Sequence, residues 1–225
     1  MTVRNLKLNG RNPDGLPSPT VNANNAVFRD NNVSNRHTGI CFVIGDDRYG
    51  YASGTVIKHN RIHDCGRLPA TNYDHGIYVA NARGTVMRDN WIYENADRGI
   101  QLFPNADESL ITGNVIDGNG EGIIFSGGED DASEDNQVEG NLVTNSTIRY
   151  NVESHWPGPV GTGNVVRDNC VWTRRSSYRG SPDGSGIEPS PRGFSAVDNL
   201  VADPLYVDRK ASDYRLDPDS PCRHR

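Results

Sequence analysis

An asparagine returns seven times along this chain, at Asn31, Asn60, Asn90, Asn114, Asn141, Asn169 and Asn199. The intervals run from 24 to 30 residues. Two residues after each stands Val33, Ile62, Ile92, Ile116, Val143, Val171 or Val201, and three before each stands Phe28, Ile57, Met87, Ile111, Val138, Val166 or Ala196. A frame that holds at all seven positions marks an array of near-equal structural repeats. Such an array buries its core by stacking one unit on the next.

A second pattern runs out of phase with the first. Gly39-Ile40-Cys41-Phe42, Gly76-Ile77-Tyr78-Val79, Gly99-Ile100-Gln101-Leu102 and Gly122-Ile123-Ile124-Phe125 share the form Gly-Ile-x-apolar, each between two asparagine frames. One repeat therefore holds three short strands. So few residues separate them that hairpin reversal is impossible, and the chain must wind in one sense. Successive coils then stack about 4.8 Å apart and pair strand to strand in parallel. The reading is an all-β parallel β-helix, a single domain over residues 1–225 with three parallel sheets and seven to eight coils. The asparagines form a ladder at one turn of every coil.

Composition excludes several classes. The net charge of −6 argues against general nucleic-acid binding. No apolar run approaches the roughly 18 residues of a membrane span. Four cysteines (Cys41, Cys65, Cys170, Cys222) lack any C-x-x-C spacing, which disfavours zinc. They are either disulfide-bonded, in one of three connectivities, or unpaired small core residues. Val3, Leu6 and Leu8 follow Met1 with no leader pattern. We therefore expect upstream coils and an N-terminal cap to be missing from this sequence.

The repeat resembles that of the right-handed parallel β-helix proteins, the pectate-lyase-like superfamily of polysaccharide lyases, hydrolases, epimerases and phage tailspikes. The segment Asp203-Pro204-Leu205-Tyr206-Val207-Asp208, with Asp213-Tyr214-Arg215-Leu216 and Ser220-Pro221, is similar to the closing segment of many secreted bacterial members. That resemblance implies a secreted bacterial protein, closed by residues 200–225, with a polysaccharide as substrate or ligand. Oligomeric state is left open.

Insertions in a solenoid usually shape its binding face. The step from ladder asparagine to the next Gly-Ile is 8 or 9 residues in three coils, but 16 from Asn60 to Gly76. The extra residues end in Tyr73-Asp74-His75. Further insertions lie at 46–54, 129–135 and 156–163, and all flank the Gly-Ile strands, so they would wall a groove. With Ile inward, the x row faces that groove: Cys41, Tyr78, Gln101, Ile124 and then Arg149. The row before the glycine adds His75, Arg98 and Glu121, with His37 and Asp97 one step earlier in their coils.

Cleaving or epimerising a uronic acid requires neutralising its carboxylate, removing the C5 proton and supplying a proton elsewhere. Arg98 is the candidate neutraliser, His75 the base, and Tyr73 or Tyr78 the acid, on the expectation that a Tyr beside Arg loses its proton more readily. Mannuronan epimerases and related alginate lyases carry a Tyr, Asp and His cluster on the same sheet. Tyr73-Asp74-His75 is a contracted version of it, lacking their Asp-Pro-His spacing. The competing reading of Asp74-His75 is a polar turn bonded to its own backbone, and of Arg98 and Glu121 a cross-coil ion pair. His37, Tyr78, Gln101, Glu121, Arg149, His155 and Trp156 are candidate saccharide contacts, the last two as a stacking surface. Glu129, Asp130 and Asp131 are candidate calcium ligands or a solvated acidic loop. Two rivals stand beside lyase or epimerase: a module that binds saccharide or a cell surface without turnover, and a glycoside hydrolase using Asp74, Asp97 or Glu121 as its carboxylate pair.

Overall fold

The computed structural model describes residues 1–11, 14, 16–174, 181 and 183–224. All but residue 225 of the closing segment is therefore within view.

Three parallel sheets run the length of a solenoid. The sheet before the ladder has eight strands, from Thr2–Arg4 to Phe194–Val197, and the sheet after it has eight, from Lys7–Asn9 to Leu200–Val201. The third, here the groove sheet, stacks Thr20–Val21, Phe42–Ile44, Ile77–Arg83, Arg98–Asp107, Glu121–Ser126 and Val152–His155. Three of these strands are longer than the short strands expected, at 7, 10 and 6 residues, with a register shift after Val79 between the first two. The interior is filled by rows of fully buried side chains, such as Ile57, Met87 and Ile111 in one sheet and Ile77, Ile100 and Ile123 in another. Burial of these rows is the main driving force for stacking.

The ladder is continuous. Each side-chain oxygen from Asn60 to Asn199 accepts the backbone N–H and the side-chain N–H of the asparagine one coil earlier, at 2.9 to 3.1 Å. Two shorter ladders stand beside it, Asn95–Asn119 and Asn136–Asn164. The glycine of the Gly-Ile frame follows from them: a Cβ on Gly76 would sit 2.8 Å from the Gly99 carbonyl and 2.9 Å from Asn95 Nδ2, and Gly99 meets Gly122 and Asn119 in the same way.

The predicted outward row shifts at both ends, by two residues at the first and by four at the last. Tyr78 pairs in register with Val43, not Cys41, and Ile124 with Glu153, not Arg149. Cys41 is instead drawn into a disulfide with Cys65, and Phe42-Val43-Ile44 takes the inward–outward–inward places. At the other end Ser146–Tyr150 forms a turn, fixed by Asn151 Oδ1 accepting the Ser146 N–H, so Val152 restores the inward row. The second disulfide joins Cys170 to Cys222. It ties down the closing segment, an antiparallel pair (Tyr206–Asp208 with Asp213–Leu216) laid across the outside of the post-ladder sheet. Tyr214 packs on Trp91 and Tyr93 there, and Arg209 bonds the buried Asp117 at 2.7 Å.

Candidate functional site

The outward face of the groove sheet carries two adjoining cavities that share Tyr78 and Phe103 as a common wall. Their rings stack at 6.3 Å with 17° between planes. The first cavity, about 350 Å³, is bounded by His75, Arg98, Gln101 and Ile124 on the sheet, by Asn72 and Tyr73 of the long insertion, and by His155 and Pro157. Tyr73, His75, Tyr78, Arg98, Gln101 and His155 are thus brought together as the sequence places them. Another cavity, about 410 Å³, lies at the last coil around Ile187, Glu188 and Val197 and contains none of the candidate residues.

His75 precedes the strand and is 3% exposed. Its Nδ1 has no hydrogen-bond partner among the described residues. Burial, and then the nearby Arg98 charge, hold its pKa well below the ordinary value, outweighing its hydrogen bond with Gln101. The imidazole is therefore neutral at physiological pH, the form a general base requires. Its ring meets Tyr78 edge-on at 5.6 Å. Tyr78 departs from the expectation that its proton is easily lost. Burial first, then Asp47 and Asp46, raise its pKa, so the phenol stays protonated.

Arg98 and Glu121 form the cross-coil ion pair, Nε to Oε2 at 2.9 Å, with both side chains 5% exposed. Both terminal nitrogens of Arg98 reach Asn72, one at the backbone oxygen at 2.7 Å and the other at the side-chain oxygen. Arg98 therefore straps the insertion to the sheet and borders the cavity already partnered. Arg149 reaches the same cluster from the turn, contacting Glu121 at 2.8 Å and Glu153 at 2.6 Å. Burial, and then the hydrogen bond to Glu121, push Glu153 up to about 9. Burial also acts to raise Glu121, but the bond from Glu153 and the charges of Arg98 and Arg149 hold it below the usual range. At neutral pH the pair thus holds one proton, on Glu153.

The other candidates serve the loops. Asp74 is bound by Arg67 through Nε at 2.5 Å and a terminal nitrogen at 3.1 Å, and does not line the cavity. Asp97 accepts the backbone N–H groups of Tyr73 and Asp74 at 3.0 and 2.8 Å. This is the polar-turn role the sequence left open for Asp74, shared with Asp97. His37 braces the loop base, with Nδ1 at 3.0 Å from the Gly66 carbonyl. Trp156 packs beneath Gly161 and Gly193 and donates its indole N–H to the Arg192 carbonyl at 2.9 Å, so only His155 of that pair lines the cavity. The strap from Arg98 to Asn72, the ring of Phe103 and the Glu153 carboxyl escaped the sequence reading. Only Glu153 carried a signal, as the residue after an apolar Val152.

The second cavity, about 480 Å³, is acidic. Asp46, Asp47, Glu129, Asp130 and Asp131 line it with one cation, Arg48, which is paired to Asp46 at 3.0 Å. The predicted calcium residues lie here at the exposed rim, and among the described residues no group of three or more His, Cys, Asp or Glu side chains is arranged to hold a metal ion. No described helix is long and apolar enough to cross a membrane.

Comparison with known proteins adds the family. Among solved structures the chain is similar to a DFA-IIIase from Arthrobacter chlorophenolicus A6 in complex with GF2, with 14% sequence identity and a TM-score of 0.44. The match covers 83% of this chain and 56% of that one, so the chain spans little more than half of that structure's length. No curated protein matches. The family model described as "Right handed beta helix region" matches residues 20–179, the greater part of the solenoid. On that match and the three parallel sheets, the chain belongs to the right-handed β-helix family.

Proposed function

We propose that this β-helix is a carbohydrate-active protein whose groove binds a glycan and acts on a uronic-acid unit by β-elimination or C5 epimerisation. The observation that carries the reading is His75: a neutral, buried imidazole with an unpartnered Nδ1, bordering a cavity beside a protonated Tyr78. In elimination His75 takes the C5 proton, the C4–O bond breaks toward the leaving oxygen, and the Tyr78 phenol protonates that oxygen. The products are a 4,5-unsaturated uronate and a shortened chain. In epimerisation the same C5 proton leaves one face and a proton returns to the other. The Gln101 amide is placed to donate a hydrogen bond to the substrate carboxylate, and Arg98 is the cation that borders the cavity. The two disulfides support an oxidising, extracytoplasmic setting.

A second reading, glycan binding without turnover, is favoured by Arg98, whose guanidinium is already committed to Glu121 and Asn72. The hydrolase reading loses support because Asp74, Asp97 and Glu121 are each turned to structural partners and none lines the cavity. A panel of uronate polymers, followed by ultraviolet absorbance of the unsaturated product and by NMR of the uronate configuration, separates the two. Turnover lost in His75→Ala, with the melting temperature kept, supports catalysis. Binding with neither product supports the second reading, and no binding at all defeats both.

A further inference from the structure

Arg98 is fully partnered, but its partners do not hold it equally. Nε is ion-paired to Glu121 at 2.9 Å, with both side chains buried. One terminal nitrogen, Nη1, donates to the Asn72 backbone oxygen at 2.7 Å. The N–H of that same peptide group is Tyr73's, and it donates to Asp97 at 3.0 Å. The peptide is thereby gripped from both sides, by a guanidinium and by a carboxylate. The other terminal nitrogen, Nη2, donates to the Asn72 side-chain oxygen. Asn72 is exposed, and its side chain turns on its own two torsions without moving the backbone. Freeing Nε would strand a buried charge, and freeing Nη1 would pull the insertion off Asp97. The Asn72 amide, turned aside, passes to water at little cost. One donor of Arg98 is therefore exchangeable.

That donor lies where a ligand would use it. Asn72 and Arg98 both line the first cavity, together with Gln101 and His75, whose buried Nδ1 has no partner among the described residues. Gln101 Oε1 is 3.5 Å from Arg98 Nη1, so the amide stands beside the guanidinium edge. A neutral carbonyl oxygen is the weaker partner for a guanidinium, since a charge-assisted bond to a carboxylate is roughly twice as strong. A carboxylate oxygen entering the cavity therefore outcompetes the Asn72 side chain at Nη2. The exchange leaves the number of bonds to Arg98 unchanged. A neutral sugar has no such advantage and leaves the contact closed.

We propose that the Asn72 side chain is a removable stand-in for the carboxylate of a bound sugar, and so a specificity-determining residue that yields Arg98 to an anionic unit and withholds it from a neutral one. This role rests on the reading that the cavity takes a uronate unit, and it lets an arginine already in use receive one. The insertion itself stays in place, and only the side chain turns aside.

Two variants separate this role from a structural one. Asn72 stands at φ +72, a conformation open to glycine and tolerated by aspartate. Asn72→Gly keeps the backbone oxygen on Nη1 and leaves Nη2 free, whereas Asn72→Asp sets a permanent carboxylate on Nη2. Calorimetry with galacturonate and mannuronate oligomers, and with the methyl esters of both, reads the effect on the full chain. Asn72→Gly should bind the acid oligomer about two- to tenfold more tightly, the worth of one side-chain hydrogen bond. Asn72→Asp should bind it about tenfold more weakly while melting no lower than the wild type, because its own charge-assisted bond holds the site closed. Affinity for the methyl ester should be the same in all three proteins. Variants that shift acid and ester together overturn the role, since a residue that merely shapes the cavity wall would do that. So does an acid affinity that neither variant alters, which leaves glycan binding itself standing. No binding of any oligomer by the three proteins overturns the uronate reading and this role with it.

Discussion

Replacing Asn114 in the middle of the ladder tests what holds the coils in register. Its side-chain oxygen accepts the backbone N–H of Asn90 at 3.0 Å and the side-chain N–H of Asn90 at 2.9 Å. Its own amide donates to the carbonyls of Met87 and Thr112 at 2.8 and 3.1 Å and to Asn141 Oδ1 at 2.9 Å. Asn114→Ala leaves the Asn90 backbone N–H buried without an acceptor, while Asn90 Nδ2 keeps the Ile57 carbonyl and Asn141 Oδ1 keeps the Asn114 backbone N–H. One orphaned buried donor costs about 1–3 kcal/mol, and the two amide hydrogens removed with the Asn114 side chain add about 1 kcal/mol each, so the expected loss is about 3–5 kcal/mol. Asn199→Ala is the comparison. It closes the ladder at a partly buried position with water at hand, and should cost only about 1–2 kcal/mol. Asn114→Asp should be worse than Ala, because a carboxylate still accepts from Asn90 but sets its charge against Asn141 Oδ1 and the Met87 carbonyl. Urea unfolding followed by far-ultraviolet circular dichroism gives the midpoints and slopes. A mid-ladder loss no larger than the terminal one would refute the claim that the amide bonds set the register of coils that the apolar rows hold together.

The remaining expectations concern the groove and its supports. Because the folded-state pKa of His75 is depressed, the unfolded chain takes up a proton below about pH 6.5 that the folded chain does not. Stability should therefore fall between pH 6.5 and 5 by up to about 2 kcal/mol, and His75→Gln should flatten that slope in a series of melts. Glu153 has the opposite sign: its folded value is raised to about 9, so its contribution is full at low pH and is lost as pH rises through that value. Glu153→Gln should then stabilise the protein at pH 8 by on the order of 1–3 kcal/mol, read from the same melts. Cys41→Ser with Cys65→Ser opens a link across 24 residues and should cost about 3 kcal/mol in urea, with the insertion showing the earliest loss of protection in hydrogen exchange. Gly99→Ala drives a methyl to 2.9 Å from the Gly122 carbonyl, and should lower the melting temperature more than Gly84→Ala, where a Cβ meets nothing within 4 Å and the cost is only the left-handed backbone, about 1 kcal/mol.

Much of this arrangement is legible in the chain, for a definite reason. The ladder needs one residue type at one turn of every coil, and the apolar rows need Val or Ile at fixed offsets, so a one-dimensional pattern carries the three-dimensional one. The groove is less legible where the repeat is broken. Cys41 occupies the x place of a Gly-Ile frame, yet its disulfide to Cys65 moves the true outward place to Val43. Arg149 follows an apolar Ile148, yet the turn closed by Asn151 hands the row to Glu153. The first displacement depends on Cys65 in the next coil, and the second on a side-chain contact five residues long that the Gly-Ile pattern does not mark. The shorter ladders were open to reading, since Asn95 and Asn119 each follow a ladder asparagine by five residues.

The charges of the insertion show how a regular scaffold is given a particular site. Asp74 and Asp97 sit where a catalytic carboxylate could stand, but each is spent on the loop: Asp97 holds the Tyr73 and Asp74 N–H groups, and Asp74 holds Arg67. Arg98 is spent likewise on Asn72 and Glu121. What remains uncommitted at the first cavity is Nδ1 of the His75 imidazole. A site is recognised here by the polar groups that folding leaves without partners, since a group already satisfied has little left to offer a ligand. By that criterion His75 outranks Asp74, although the two stand side by side in the sequence.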